Sequence, residues 1–224
     1  MKVAALISGG KDSALALYHA LDRNYDVKWL VTLIPMREDS WFFHYPNAEL
    51  THLFSEASGI PLIRRETSGY KDSELEDLKL LLRDLKVDGL VYGVTASSYQ
   101  KRGIEKLCGE LGITPIAPLW NRDPVEILNS LLELGFEIII TGVYAYGLTE
   151  SWLGRRLNLN AVHDLLRLRD LYKISVVGEG GEYETFILDA PYFKRKIKIL
   201  DYEKVWRGDS GYLKILRAEL VEKE

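Results

Sequence analysis

The sequence predicts a doubly wound α/β fold, with a mostly parallel sheet followed by a smaller C-terminal α+β domain. Two observations carry that reading. Through most of the chain, short apolar runs alternate with amphipathic helical stretches, the pattern of strand–helix units wound into a parallel sheet. After about Tyr146 the strand-like runs alternate more openly and carry more charge, as half-exposed antiparallel strands do. The division is expected at 1–122 and 123–224.

Each element has its own signal. "KVAALIS" (Lys2 to Ser8) is almost continuously apolar, as a strand covered on both faces reads. From Lys11 to Asn24, residues Ala14, Leu15, Leu17, Tyr18 and Leu21 fall on one helical face. "VKWLVTLIP" (Val27 to Pro35) is the second strand. The loop "MREDSWFFHYPN" ends at Asn47, placed to cap a helix that runs to about Ser58 and stops at Gly59. "IPLIRRE" is the third strand. Ser73 to Lys86 is a helix in which Ser73 and Glu76 have capping-box spacing, and "YKDSELED" reads as its solvated start. "DGLVYG" is a strand, Ser98 to Leu111 a helix closed by Gly112, and "ITPIAPLW" an extended segment. Pro124 to Leu134 is a helix stopped by Gly135, and "FEIIITGVY" continues the alternation as a buried strand. A helix over Asn160 to Tyr172 precedes "ISVVGEGGEYETFILDAP", "KRKIKILDYEKVWRG" and "YLKILRAEL", the strands of the second domain.

Composition removes several function classes. The 224 residues are 47% hydrophobic and 28% charged, enough for a real core. A net charge of −4 is not that of a dedicated nucleic-acid binder. No apolar run approaches the ~18–20 residues of a membrane span, and "MKVAALISGG" is too short for a signal peptide. The sole cysteine, Cys108, allows neither an internal disulfide nor a cysteine zinc cluster, which suits a reducing cytoplasmic setting. On its amphipathic helix it reads as core filler. His19, His52 and His163, in predicted helices, read as structural.

The chemistry is concentrated in "SGGKDS", between the first strand and the first helix. Ligands of such sheets bind beyond the carboxyl ends of the strands, where this turn lies. Gly9 and Gly10 let the backbone bend and approach an anion, and the following helix start adds its positive dipole end. Lys11 supplies a point charge; Ser8 and Ser13 supply hydroxyls. Asp12 beside phosphate becomes intelligible with Mg²⁺, which a carboxylate can hold while the ion bridges phosphate oxygens. The spacing is not that of the G-x-x-x-x-G-K-[ST] loop. It resembles the PP-loop of the N-type ATP pyrophosphatases, which implies an adenine nucleotide alpha hydrolase type of Rossmann-like fold, cleavage of ATP between its α- and β-phosphates, and Lys11 and Asp12 as catalytic residues.

Two later stretches add candidates. "GEGGEYETFILDAP" (Gly178 to Pro191) sets Glu179, Glu182 and Glu184 around a Gly-Gly turn, where they form either a solvated hairpin tip or a pocket for a cation. Strand alternation puts Glu182 and Glu184 on one face, with Tyr183 and Thr185 opposite. "GVYAYGLTESWLGRRLN" (Gly142 to Asn158) follows "FEIIIT" and is expected at the same edge as the phosphate loop. Its Trp152, Gly154 and Arg155 form a substrate loop or an ordinary loop around a buried Trp. Tyr99, Gln100 and Arg102, after the "YGVTAS" strand end, are placed to reach phosphate or substrate.

Together, "SGGKDS", "SWFFHYPN", "SSYQKRGIEKLCGELGITPIAPLW", "SWLGRRL" and "EGGEYETFILDAP" closely resemble the diphthine–ammonia ligase family from Lys2 to about Pro191 or beyond. The resemblance is to a minimal, archaeal-type form, since larger eukaryotic members carry extra C-terminal domains. It implies ATP-driven adenylation of the carboxylate of diphthine, a modified histidine on elongation factor 2, and displacement of AMP by ammonia. It also implies that the end of strand two, represented by Leu33, flanks adenine, and that His44 and Gly93 belong to the nucleotide site. Diphthine carries a quaternary ammonium, which Glu179, Glu182, Glu184, Tyr183 and Trp152 are suited to meet by ion pairing and cation–π contact. With no cysteine near the N-terminus for a glutaminase, free ammonium is the expected nitrogen source.

Two alternatives stay open: a PP-loop tRNA-modifying enzyme, disfavoured by charge and the lack of paired cysteines, and a non-catalytic ATP-binding protein, disfavoured by the intact Lys11 and Asp12. The sequence leaves undecided the general base, whether the acidic cluster holds Mg²⁺ or the trimethylammonium, the residues docking the elongation factor, and whether exposed aromatics such as Trp206 serve a homodimer.

Overall fold

The computed structural model describes residues 1–36, 47–68 and 71–223, with backbone only at 71 and 72. The chain divides into two compact units, Met1–Asn121 and Arg122–Glu224.

In the first unit, β1 (Lys2–Leu6), β2 (Asp26–Pro35), β3 (Leu62–Thr67), β4 (Gly89–Val91) and β5 (Thr114–Ile116) form one sheet in the order β3-β2-β1-β4-β5. Every neighbouring pair is parallel. The chain moves outward from β1 to β3, then returns to the other side of β1 at β4. The direction of winding therefore reverses between β1 and β4, and a ligand crevice is expected at their carboxyl ends.

Residue alternation covers both faces. Ala4, Leu6, Val31, Leu33 and Leu90 share a core with Leu78 and Leu82 of α3 (Lys71–Arg83) and Ile104, Leu107 and Cys108 of α4 (Ser98–Leu111). The intervening Val3, Ala5 and Ile7 are buried as well, and α1 (Lys11–Asp22) runs beside β1, β2 and β4. Burial of each such Leu, Ile or Val contributes about 1.5–3 kcal/mol.

Local signals shifted at two helix starts. Asn47 opens a 3₁₀ turn, Asn47–Leu50, before α2 (Thr51–Ser58), which carries no side-chain cap. Gly59, at φ 74°, ends α2 as expected. α3 begins at Lys71, so Ser73 lies inside the first turn and bonds Ser68 (Oγ–Oγ 2.6 Å) rather than capping. Nor is that start simply solvated: Glu74 is 1% exposed, on the same stripe as Leu78 and Leu82. In α4, Ser97 Oγ accepts from the Gln100 N–H and Gly112 terminates in the left-handed region.

The second unit contains α5 (Pro124–Glu133), β6 (Glu137–Val143), α6 (Leu159–Tyr172), β7 (Tyr183–Asp189), β8 (Arg195–Arg207) and β9 (Ser210–Glu222). Its strands form a separate sheet in the order β7-β6-β9-β8, with antiparallel pairing throughout. The strand read from "FEIIITGVY" thus belongs here and does not extend the parallel sheet, so residues 142–158 do not share a sheet edge with the turn after β1. A short, fully apolar run reports burial on both faces but not its neighbours. Trp206 is half-buried, its ring lying over Gly211, where an added Cβ would come within 2.7 Å of it; Tyr202, at 52%, is the exposed aromatic of that hairpin. Among the described residues no helix is long and apolar enough to cross a membrane.

Candidate functional site

The turn after β1 is held by its own polar groups. Ile7 N–H donates to Val31 O at 2.9 Å, and Thr32 Oγ1 donates to Ile7 O at 2.5 Å, anchoring the strand end. Gly9 then turns through φ 86°, a left-handed conformation that favours glycine. Ser13 Oγ donates to Gly10 O at 3.0 Å and accepts from the Ser8 N–H at 3.3 Å, while Ser8 Oγ accepts from the Gly10 N–H at 3.3 Å. The two serines, expected to face a phosphate, brace the loop from inside.

What the loop offers an anion is the start of α1. Gly10 precedes that helix without a side-chain cap, so its first-turn amides and positive dipole end are presented without a capping oxygen. Lys11 is only 3% exposed, and its Nζ lies 2.9 Å from Asp12 Oδ2. The other carboxylate oxygen, Asp12 Oδ1, is buried with no hydrogen-bond partner among the described residues. An orphaned carboxylate oxygen beside a phosphate-type loop fits the donor set of Mg²⁺, which takes one or two carboxylates and completes its shell with phosphate and water. Among the described residues no group of three or more His, Cys, Asp or Glu side chains is arranged around a metal position.

The loop after β4 closes on this helix start. A Cβ at Gly93 would lie 2.6 Å from the Asp12 carbonyl and from Ser13 N, so Gly93 serves close backbone approach at the crevice. Thr95 is buried and its carbonyl accepts the Asn121 N–H at 2.8 Å. Tyr99, Gln100 and Arg102 lie in the first turns of α4, with Arg102 exposed and the other two half-buried. Lys101 is occupied, pairing with Glu105 and lying 5.1 Å from the Trp120 ring centre. At the end of β2, the Leu33 side chain is wholly in the core, so only its backbone can meet a nucleotide. Its neighbour Ile34 instead lines a groove of about 610 Å³ together with Leu50, His52, Arg64 and Glu66. His44 lies outside the described residues.

The second unit gathers the other candidates. Residues 154–157 run against β6: Gly154 N–H donates to Ile140 O at 2.8 Å, Ile140 N–H to Arg155 O at 3.0 Å, and Leu157 N–H to Ile138 O at 2.9 Å. Gly154 itself is exposed, at φ 82°. Trp152 is buried, and the Arg155 guanidinium sits 4.3 Å from its ring centre while bonding Asp164 at 2.6 Å. That bond holds the Asp164 carboxyl below the usual carboxylate range. The aromatic face expected to receive a substrate cation therefore already carries an arginine.

The "EGGEYET" loop is likewise self-organised. Glu182 accepts the Ser175 N–H on Oε1 and the Gly180 N–H on Oε2, both at 2.8 Å. Tyr183 is 3% exposed, and its hydroxyl donates to Val176 O at 2.7 Å. Thr185 is buried beside it, while Glu184 keeps partial exposure, so the alternation of 183, 184 and 185 follows the strand period. Glu179 is half-buried and its N–H donates to Ser175 Oγ at 3.3 Å. Glu182 and Tyr183 thus shape the loop, and all three glutamates, Glu179, Glu182 and Glu184, are partly exposed.

Two features escaped the sequence reading. Buried Glu74 was legible in principle, because it stands four residues before Leu78 on the inward stripe. The exposed rings were not: Tyr144, Tyr146 and Tyr172 are 43%, 78% and 43% exposed, and no periodicity separates them from core tyrosines.

Comparison with known proteins bears on both units. A family model described as the diphthamide synthase N-terminal domain matches residues 1–115, and one for the diphthamide synthase C-terminal domain matches 123–221. A zebrafish (Danio rerio) protein named diphthine–ammonia ligase is 34% identical over 234 residues, covering 95% of this chain and 91% of its own. The human protein of the same name is 33% identical, covering 100% of this chain and 94% of its own, and so adds no large extra domain. A solved structure titled as a predicted subunit of tRNA methyltransferase from Methanocaldococcus jannaschii aligns with a TM-score of 0.44 at 16% identity, over 85% of this chain and 97% of that one.

Proposed function

The chain belongs to the diphthamide synthase family and is a ligase of diphthamide biosynthesis; on that premise we propose that it converts diphthine on elongation factor 2 to its amide, using ATP and free ammonium. The observation that carries the mechanism is the Lys11–Asp12 pair at the start of α1, with Asp12 Oδ1 left unpartnered. It sits where a strand, a glycine turn and a helix N-terminus converge at the reversal of winding.

A carboxylate cannot be aminated directly, because its oxygen is a poor leaving group. In the proposed reaction the diphthine carboxylate oxygen attacks the α-phosphorus of ATP and the α–β bond breaks, releasing pyrophosphate. Ammonia then adds to the activated carbonyl, loses a proton, and AMP leaves. Lys11 and the first-turn amides of α1 stabilise the charge that gathers on the departing pyrophosphate. Their burial makes this effect larger than it would be in water. Asp12 Oδ1 would hold Mg²⁺, which when bound neutralises phosphate charge. Ser8, Ser13 and Gly93 keep the loop and helix start in that geometry.

The N-terminal unit is thereby assigned the nucleotide. The C-terminal unit is assigned the protein substrate, with the partly exposed Glu179, Glu182 and Glu184 as its acidic cluster. A cytoplasmic setting, where elongation factors work, agrees with this assignment. The test is release of AMP and pyrophosphate from ATP, Mg²⁺ and ammonium, with and without diphthine-bearing elongation factor 2. Release that requires the modified factor and leaves the amide on it is the expected result. Release stimulated by tRNA instead would transfer the chain to RNA modification.

A further inference from the structure

Tyr146 and Tyr172 stand in solvent as a pair. Their ring centroids are 5.0 Å apart and their planes meet at 89°, an edge-to-face corner in which both rings keep surface open to solvent. Tyr146 is the second residue of a tight turn closed by the Leu148 N–H to Ala145 O at 3.2 Å. Gly147, the third residue, is at φ 92°, and any side chain there would overlap the Tyr172 ring. That glycine lets Tyr172 lie on the turn and stand perpendicular to its partner.

The electrostatics of the corner favour a cation. Tyr172 is the last residue of the 14-residue helix α6, at the end that carries the negative pole of the helix dipole. Two nearby cations are already engaged: Lys173 Nζ donates to Asp170 O at 3.2 Å, and Arg169 pairs with the Asp170 carboxylate at 3.1 Å. Two residues before Tyr146 in the chain, Tyr144 reaches the acidic loop. Its N–H donates to Glu182 O at 2.9 Å, and its ring lies over Gly142, where an added Cβ would also meet Glu184 Cβ at 3.0 Å.

We propose that the Tyr146–Tyr172 corner receives the quaternary ammonium of the diphthine side chain, an inference that rests on the ligase reading above. A trimethylated nitrogen has no N–H to donate and is weakly hydrated, so ring faces recognise it better than hydrogen-bond acceptors do. Trp152 and Tyr183 cannot take this role, the first covered by Arg155 and the second buried.

The test has two arms. In the first, steady-state amidation is measured against the concentration of diphthine-bearing elongation factor 2. Tyr146→Leu and Tyr172→Leu should each raise KM for that factor about 10-fold with kcat and the KM for ATP held, whereas Tyr146→Phe should keep the wild-type KM. In the second, tetramethylammonium chloride is titrated into the full chain carrying ¹³C-labelled tyrosine. The Tyr146 and Tyr172 ring resonances should shift, the leucine variants should abolish the response, and tert-butanol, an uncharged molecule of similar shape, should produce none. Wild-type KM in both folded leucine variants, or unmoved rings, overturns the proposal. A wild-type chain that never amidates, yet shifts both rings with tetramethylammonium, would sink the ligase reading and leave the corner standing as an organic-cation site.

Discussion

Gly93 lies against the backbone of Asp12: a Cβ at position 93 would sit 2.6 Å from the Asp12 carbonyl carbon and oxygen. One loop after β4 therefore fixes how closely the first turn of α1 approaches the neighbouring strand. Gly93→Ala must push α1 away, which is expected to cost about 1–3 kcal/mol of stability. It should also weaken ATP binding. A thermal midpoint and an ATP affinity both at wild-type values would show that the contact does not set the crevice.

Lys11 is buried, so its removal must be separated from a packing defect. Lys11→Met keeps most of the volume and Lys11→Ala does not. Both should lower pyrophosphate release about 100-fold or more, the scale of losing a preorganised charge donor at a developing anion. Only Lys11→Ala should also lower the melting temperature measurably. Turnover preserved in Lys11→Met would remove the lysine from the mechanism.

Glu182 ties two loop amides, from Ser175 and Gly180, with its two carboxylate oxygens. Glu182→Ala should spare ATP binding but abolish amidation, by releasing the loop. Glu182→Gln, which keeps one acceptor oxygen, should retain part of the activity. Hydrogen exchange at Ser175 and Gly180 reads the loop directly: protection unchanged in Glu182→Ala would contradict the tie.

Glu137 anchors the start of β6 through Lys196 and Arg156, both at 2.7 Å. The Lys196 hydrogen bond, then that of Arg156, hold its carboxyl below the usual value of 4.5. A carboxyl depressed on folding contributes its stability above the unfolded-state value and loses it as pH falls through the folded one. Resistance to denaturant should therefore weaken as pH drops below about 4.5. Glu137→Gln should flatten that dependence and cost about 1 kcal/mol at neutral pH. An identical acid limb in the variant would assign the loss to other carboxylates.

Cys108 offers a probe of opening. Its thiol is wholly buried, and burial, with a smaller contribution from Glu105, pushes its pKa up to about 12. Native protein at pH 8 should resist iodoacetamide and react fully in denaturant, since the thiolate is the reactive form. Rapid native labelling, followed by mass spectrometry, would show that the α3–α4 core opens readily.

The sequence reading succeeded where chemistry is local. "SGGKDS" carries in six residues the glycines, cation, carboxylate and hydroxyls of its turn, and their meaning depends mainly on what precedes and follows them in the chain. The helix stops at Gly59 and Gly112 were legible for the same reason, because a left-handed C-terminal residue is a property of glycine itself. Glu74 was misread because charge was weighed ahead of its place on the stripe with Leu78.

What the sequence determined by itself is the alternation of strand and helix, the glycine–lysine–aspartate turn at the first strand end, and the family motifs, all set by near neighbours along the chain. Only the tertiary structure decided which sheet receives β6, that Arg155 covers Trp152, that Ser8 and Ser13 bond each other's loop, and that Tyr146 meets Tyr172 at a right angle. Burial and side-chain pairing arise between residues distant in sequence or from loop closure. A one-dimensional pattern records which residues seek partners, while three-dimensional packing settles which partners they find.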